Sequence, residues 1–266
     1  MQNTPTYAKA SEGRQNLSEE EKFWGPKYGS IYPALEESEP YQKLLAQIEE
    51  FVDPIQGEKW VDLGTGSGAL IDIIWNKSKG QISQLVALDL TDVMLEHLKR
   101  RLPFLKPEPR EGQIKLIKHD LSKRLPFEDE EFDGVTASLV LTYIENHEGQ
   151  KGIEALKALF SEVNRILKTH AQFVWTTPKY KVNFTKVFLA SWKAILNPKK
   201  LKNLYYGPAI LRYALKIQKK GKKGDYQFLP EEQFIKILEN AGFENIKVEH
   251  SFAKQAIVFS STKKQK

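Results

Sequence analysis

The sequence contains no cysteine. That excludes disulfides, a thiolate nucleophile and any cysteine-ligated metal, and it suits a reducing compartment. No histidine or acid cluster has metal-ligand spacing, so no metal is expected. No apolar run approaches the ~18 residues that a membrane-spanning helix needs. Met1 to Pro5 offers neither a basic nor an apolar stretch, so no signal peptide is expected, and the expected location is cytoplasmic. The most telling deficit is local. Between Lys179 and Gly224 there is no Asp or Glu against 13 Lys and Arg, whereas the rest of the 266 residues holds 27 basic and 34 acidic. The net charge of +6 therefore belongs to one segment and calls for a local explanation.

What is present centres on Val61-Asp62-Leu63-Gly64-Thr65-Gly66-Ser67-Gly68. Glu58 to Val61 reads as a short buried strand, and Ala69 to Trp75 as an apolar helix start. Glycines at alternate positions permit a sharp turn and keep side chains away from a ligand. The unpaired N–H groups of the helix start favour a carboxylate or phosphate. A second strand ends on Asp89, an acid suited to gripping a ribose diol. Gly64, Gly66 and Ala69 also satisfy the G-x-G-x-x-A pattern of dinucleotide-binding turns, so this stretch alone leaves the ligand open.

The order of elements narrows the choice. Residues 1–18 read as a loose polar tail. Residues 19–56 read as N-terminal cap helices, with Ser18 and three acids as a helix start. Phe23 to Pro33 mixes aromatics with Gly and Pro and does not resemble a plain helix. It either folds back over a ligand, with Tyr28 or Tyr32 facing it, or packs on the domain edge. Strands are expected at 59–63, 84–89, 114–118, 132–137 and 172–177, alternating with helices, as in a parallel sheet covered on both faces. A helix at Glu231–Asn240 and strands at 245–250 and 255–261 follow. The three-residue connection Phe252-Ala253-Lys254 requires an antiparallel hairpin, because a parallel crossover needs about a dozen residues. Dinucleotide domains normally continue to a sixth parallel strand, so the hairpin argues against a dehydrogenase.

These features resemble the class I S-adenosylmethionine (SAM) methyltransferases. The likeness rests on G-x-G-x-G with Asp62 ahead of it, on Asp89-Leu90-Thr91-Asp92-Val93-Met94-Leu95, on His119-Asp120-Leu121, and on Phe132-Asp133-Gly134-Val135 with Leu139 to Ile144. The branch it resembles includes ubiquinone/menaquinone-pathway and other small-molecule methyltransferases. The resemblance covers roughly 57–177 and, topologically, the C-terminal hairpin; it implies a SAM-binding core over 57–178, completed by a C-terminal helix and hairpin at 225–266. It implies an α/β three-layer sandwich on a mostly parallel seven-stranded sheet ending in an antiparallel hairpin, with a helical lid insertion at 179–224. It also implies SAM as cofactor. Asp62, Gly64, Thr65, Gly66 and Gly68 would shape the seat of the methionine end, and Asp89 would hold the ribose. Leu90, Met94, Asp120 and Leu121 would surround the adenine, and Ser138 would lie near the sulfonium. Methyl transfer needs alignment and water exclusion more than acid–base help. If a base acts, His147 is the best-placed histidine, with Tyr143 beside it; the alternative is a solvated loop histidine. The turn Thr169-His170-Ala171 departs from the family's Pro-Gly-Gly.

The insertion at 179–224 bears on the acceptor. Phe184, Phe188, Trp192 and Ile195 recur at helical spacing. Beyond Pro198 and Pro208, Ile210, Tyr213, Ala214 and Ile217 oppose Arg212, Lys216, Lys219 and Lys223. A basic, aromatic amphipathic stretch reads as an anionic-membrane contact, or as a packed lid with a solvated lysine face. Tyr28, Tyr32, Trp192 and Tyr213 are the candidate acceptor contacts. The expectation is a small lipophilic or membrane-associated acceptor, such as a phospholipid amine, quinone precursor or terpenoid. An RNA or protein substrate and a non-catalytic SAM-binding module stay open as alternatives. Nucleic acid is disfavoured because Ser138-Leu139-Val140-Leu141 stands where base-amino methyltransferases carry Asn/Asp-Pro-Pro-Tyr/Phe. Oligomeric state is not readable.

Overall fold

The computed structural model describes residues 17–190 and 201–265, with the backbone alone over 201–205. Helices α1 (Glu19–Trp24), α2 (Pro26–Glu36) and α3 (Glu39–Phe51) precede the sheet. Then come β1 (Lys59–Leu63), α4 (Ala69–Lys77), β2 (Gln84–Asp89), α5 (Asp92–Arg101), β3 (Ile114–Lys118) and β4 (Phe132–Ser138). A two-residue hairpin, β5 (Asn146–His147) and β6 (Gln150–Lys151), leads to α6 (Gly152–Ile166) and β7 (Leu167–Pro178). The remaining elements are α7 (Phe184–Ala190), α8 (Leu201–Lys223), α9 (Glu231–Asn240), β8 (Phe243–Ser251) and β9 (Ala256–Lys263).

The seven-stranded sheet has the order β3-β2-β1-β4-β7-β9-β8. The first five strands are parallel, and β9 pairs antiparallel with both β7 and β8. The hairpin turn expected at 252–254 forms with all three residues at positive φ, 55° to 57°. Side-chain alternation along the strands sends neighbours to opposite faces. Trp60, Leu85 and Ala87 join Leu44, Ile48, Ile74 and Trp75 in one core. Val61, Val86 and Leu88 join Phe160, Val163, Phe234 and Leu238 in the other. A sheet covered on both faces accounts for strands that read as nearly continuous apolar runs.

Three local expectations change. The aromatic segment after Ser18 is helical. Ser18 caps α1 by accepting from the Glu21 N–H at 3.1 Å, and its own N–H donates to the Glu21 carboxylate at 3.0 Å. Gly25 separates α1 from α2 because a Cβ there would lie 2.3 Å from the Glu21 carbonyl oxygen. Pro26 sits at the first turn of α2, where its missing N–H costs nothing. The Gly and Pro that disguise this helix in sequence thus mark a junction. Second, α8 runs unbroken through Pro208, which is exposed on its outer side. Third, β7 begins at Leu167 directly after α6, and His170 takes the left-handed turn (φ 63°) otherwise given to glycine. The tail expected over 1–18 falls almost wholly outside the described residues.

Gly134 on β4 lies opposite Trp60 on β1, and a Cβ there would come within 2.4 Å of the buried indole. Gly134→Ala therefore overpacks the core and should lower stability by about 1–3 kcal/mol, read from urea unfolding. An unchanged midpoint would show that the indole has room to move.

Candidate active site

The carboxyl ends of β1, β2 and β4 meet where the strand order reverses, the place where open α/β sheets bind ligands. After β1 the chain turns through Gly64, Gly66 and Gly68, all at positive φ (68°, 55° and 93°). The Thr65 N–H donates to the Leu88 carbonyl at 2.9 Å, fixing the turn against β2. Asp89 completes that fixation. Its Oδ2 accepts from the Gly66 N–H at 2.9 Å, and its Oδ1 accepts from the Thr91 N–H at 2.9 Å and the Thr91 hydroxyl at 3.1 Å. Burial raises the Asp89 carboxyl above its usual range, and these bonds oppose the shift.

Neighbours in the protein crowd all three glycines, in addition to turn geometry: a Cβ on Gly64 would lie 2.5 Å from the Val140 side chain. A Cβ on Gly66 would lie 3.0 Å from the Tyr32 hydroxyl, and one on Gly68 would lie 2.3 Å from Leu98 of α5. Tyr32 shares a 2.8 Å hydrogen bond with the Tyr41 hydroxyl. Glu36, at the end of α2, accepts from the Ser67 hydroxyl and lies 3.6 Å from Arg101. Helix α2 is thereby clasped to the glycine turn.

These elements enclose a cavity of about 670 Å³, within the range of small-molecule sites. Gly64, Gly66, Asp89, Leu90, Met94, Asp120, Leu121 and Ser138 line its sheet side. Asp62, Thr65 and Gly68 do not line it; they lie behind the turn and shape it. Asp62 is buried and accepts from the Thr136 hydroxyl at 2.8 Å. Burial pushes its carboxyl up to about 7, against the opposing hydroxyls of Thr65 and Thr136. Asp120 Oδ1 accepts from the Ser122 N–H at 2.8 Å and so caps its own loop while lining the cavity. Ser138 shares a 3.0 Å hydrogen bond with the Thr176 hydroxyl.

The far side of the cavity is aromatic and aliphatic. Trp24, Tyr28 and Tyr32 follow one another at four-residue intervals and face inward. Tyr143 stacks on Trp24 with ring centres 5.4 Å apart. Tyr213 of α8 meets Tyr28 at 5.4 Å and Phe23 at 5.5 Å. Burial raises the Tyr143 and Tyr28 phenols far above their usual value, so both stay protonated at neutral pH. Lys220 ties the lid to the core: its ammonium lies 2.6 Å from Glu145 and 3.9 Å from Glu20, over the rings of Phe23 and Tyr226.

His147 is not among the lining residues. It is buried, and its Nδ1 lies 2.7 Å from the Leu121 carbonyl oxygen. The position after β4 pointed to the reacting centre; the ring instead faces the loop after β3, which the β5–β6 hairpin braces. Trp192 lies outside the described residues. Sequence reasoning missed Trp24, Tyr41 and the Glu20–Lys220–Glu145 cluster. The four-residue spacing of Trp24, Tyr28 and Tyr32 was the available signal for the first. Among the described residues no group of acids and histidines is arranged to hold a metal.

Comparison with known proteins agrees with this geometry. Residues 61–175 match the family model described as a methyltransferase domain. A demethylmenaquinone methyltransferase of Staphylococcus saprophyticus is 27% identical over 199 residues, covering 72% of each chain. Among solved structures, one from the complex of the Haloferax volcanii Trm112 methyltransferase activator with its methyltransferase superposes with a TM-score of 0.59. It is 12% identical and covers 90% of this chain and 95% of that one. A SAM-dependent methyltransferase from Mesorhizobium loti superposes with a TM-score of 0.54 at 17% identity, covering 82% and 96%. The fold is that of the class I, Rossmann-like SAM-dependent methyltransferases.

The methyltransferase domain over residues 61–175, on this fold, supports SAM-dependent methyl transfer with SAM as cofactor. The cavity fits that cofactor. Gly64 and Gly66 line it without side chains, so the backbone of the turn itself faces the cavity. Two carboxylates, Asp89 and Asp120, line the same side and have lone pairs left for hydroxyl and amino donors.

Asp62 gives this core a pH dependence. Burial pushes its folded carboxyl up to about 7, above the ordinary 3.8, so between these values the folded state holds an extra proton. Stability contributed below about pH 4 is lost as pH rises towards 7, by at most about 1.4 kcal/mol per pH unit. Asp62→Asn should flatten this slope in urea unfolding between pH 4.5 and 7. Parallel curves for the two proteins would refute the assignment.

Proposed function

We propose that the enzyme transfers a methyl group from SAM to a small lipophilic acceptor held beneath the lid. The observation that carries this reading is the composition of the lid side of the cavity. Phe184, Val187 and Phe188 of α7, with Ile210, Ala214 and Ile217 of α8, offer the acceptor an apolar wall. Apolar lining with few polar groups selects ligands by burial rather than by hydrogen-bond readout. The similarity to a demethylmenaquinone methyltransferase, at 27% identity, supports an acceptor of that lipophilic kind.

The residues divide between two ends. Gly64 and Gly66 seat the methionine part of SAM, Asp89 accepts from the ribose, and Asp120, Leu90, Met94 and Leu121 bound the adenine. Bound SAM supplies a methyl group on a sulfonium, already activated for displacement. Ser138 closes the end of β4 beside the acceptor, with Tyr143, Tyr28, Tyr32 and Tyr213 around it. The chain's work is to align the acceptor and exclude water. Tyr143 serves that work as a protonated wall or hydrogen-bond donor, since burial denies it the role of base. His147 holds the Leu121 carbonyl and thus the loop that carries Asp120.

Incubating the enzyme with isotope-labelled SAM and a cell extract should place label in an organic-soluble small molecule by mass spectrometry. Label in RNA or protein alone would overturn the reading. Ala214→Trp, which fills the lid side, should raise the acceptor KM at least tenfold and leave the SAM Kd unchanged. Equal losses at both ends would place the acceptor elsewhere.

A further inference from the structure

The lid helix α8 has a second face. Pro208, Arg212, Leu215, Lys216, Lys219, Lys222 and Lys223 are all exposed, at intervals of three and four residues, and form one stripe along the outside of the helix. Ile210, Tyr213, Ala214 and Ile217, on the other side, line the cavity. The outer stripe holds five cations and no acid. None of the five has an ion-pair partner among the described residues. Lys220, a further cation of α8, is turned inward to Glu145. Leu215, 43% exposed, stands within the stripe, and elsewhere on the lid Leu189 of α7 and Tyr180 ahead of it are exposed at 61% and 50%. Lys181, Lys186 and Lys216 are exposed near them in sequence, and Lys181 and Lys216 lie over the rings of Tyr180 and Tyr213.

We propose that this outer face of the lid docks on an anionic lipid surface. Charge complementarity selects the partner. Unpaired cations without interspersed acids attract an anionic sheet of headgroups, and each near the surface contributes about fivefold in affinity. The exposed leucines select lipid over another polyanion. Leu189 and Leu215 gain from the headgroup–acyl boundary, whereas a phosphate backbone offers them nothing. Among the described residues no helix is long and apolar enough to cross a membrane, so the contact is with the surface. The same helix would then touch lipid with one face and the cavity with the other. An acceptor leaving the bilayer would pass along α8 rather than through bulk water. The docking stands on the outer face alone and does not require the acceptor reading to be correct.

Vesicle sedimentation of the full chain separates the outcomes. Binding is expected to phosphatidylglycerol-containing vesicles at low salt, to fall steeply with added salt, and to be weak for phosphatidylcholine alone. Lys219→Gln with Lys222→Gln should weaken binding about 30-fold. Leu215→Ser should weaken it at any salt concentration. Neither variant touches the cavity, so SAM Kd and circular dichroism should match the parent protein and report correct folding. Absence of binding to anionic vesicles would overturn the proposal, as would binding indifferent to these substitutions. So would duplex RNA or DNA that binds more tightly than the vesicles and displaces them. Vesicle binding without lipid-soluble methylated product would keep this inference and remove the acceptor reading; the converse result would do the reverse.

Discussion

The hydrogen bond from the Gly66 N–H to the Asp89 carboxylate is the constraint on which the site depends. It joins the loop after β1 to the end of β2 and fixes the turn in left-handed geometry. It also takes one of the first unpaired donors of the turn into the protein. Asp89 is nine-tenths buried or more, yet it reaches the cavity. A buried carboxylate with three donors around it is held in one orientation, so whatever it recognises meets a rigid acceptor rather than a mobile one. Tyr32, over Gly66, and Glu36, on Ser67, extend the same clasp to α2, so the turn positions the roof as well as the floor.

The sheet was legible because its physics is local. Strands buried on both faces read as apolar runs, a three-residue link between two of them permits only a hairpin, and glycines at alternate positions mark a turn without Cβ atoms. Asp89 and Asp120 were legible for the same reason, since a residue at the end of a strand lies at the edge of the sheet. The roof was not. Gly25, Pro26 and Pro33 gave α2 the look of a loop, although Pro26 costs nothing at a first turn and Gly25 is a junction. Pro208 likewise suggested a break that α8 does not make. His147 shows another limit. Position in the chain placed it near the end of β4, but only tertiary packing determines that its ring meets the Leu121 carbonyl.

Charge and apolar surface are sorted by face within the lid. A helix with aromatic and cationic residues mixed along its sequence separates them around its circumference. The inner side completes a largely apolar cavity above a floor of carboxylates and backbone donors. The two ends of the cavity therefore differ in kind: one offers hydrogen bonds of fixed direction, the other shape and exclusion of water. This difference explains how a shared core serves many acceptors, because only the apolar end has to vary.

The roof joins two remote parts of the chain. Glu20 and Lys220 meet across 200 positions, and Phe23 meets Tyr213 beside them. The floor is built from β1, β2, β4 and their loops, whose β1–β4 pairs lie 74 positions apart. Closing a longer loop costs more entropy, so the floor has the lower barrier to assembly and the roof forms on it afterwards. Breathing motions follow the opposite order. Local opening that separates α1 and α2 from α8 exposes the apolar end of the cavity first, while β1 and β2 stay paired. A ligand at the apolar end can thus exchange by a partial opening that leaves the glycine turn and Asp89 in place.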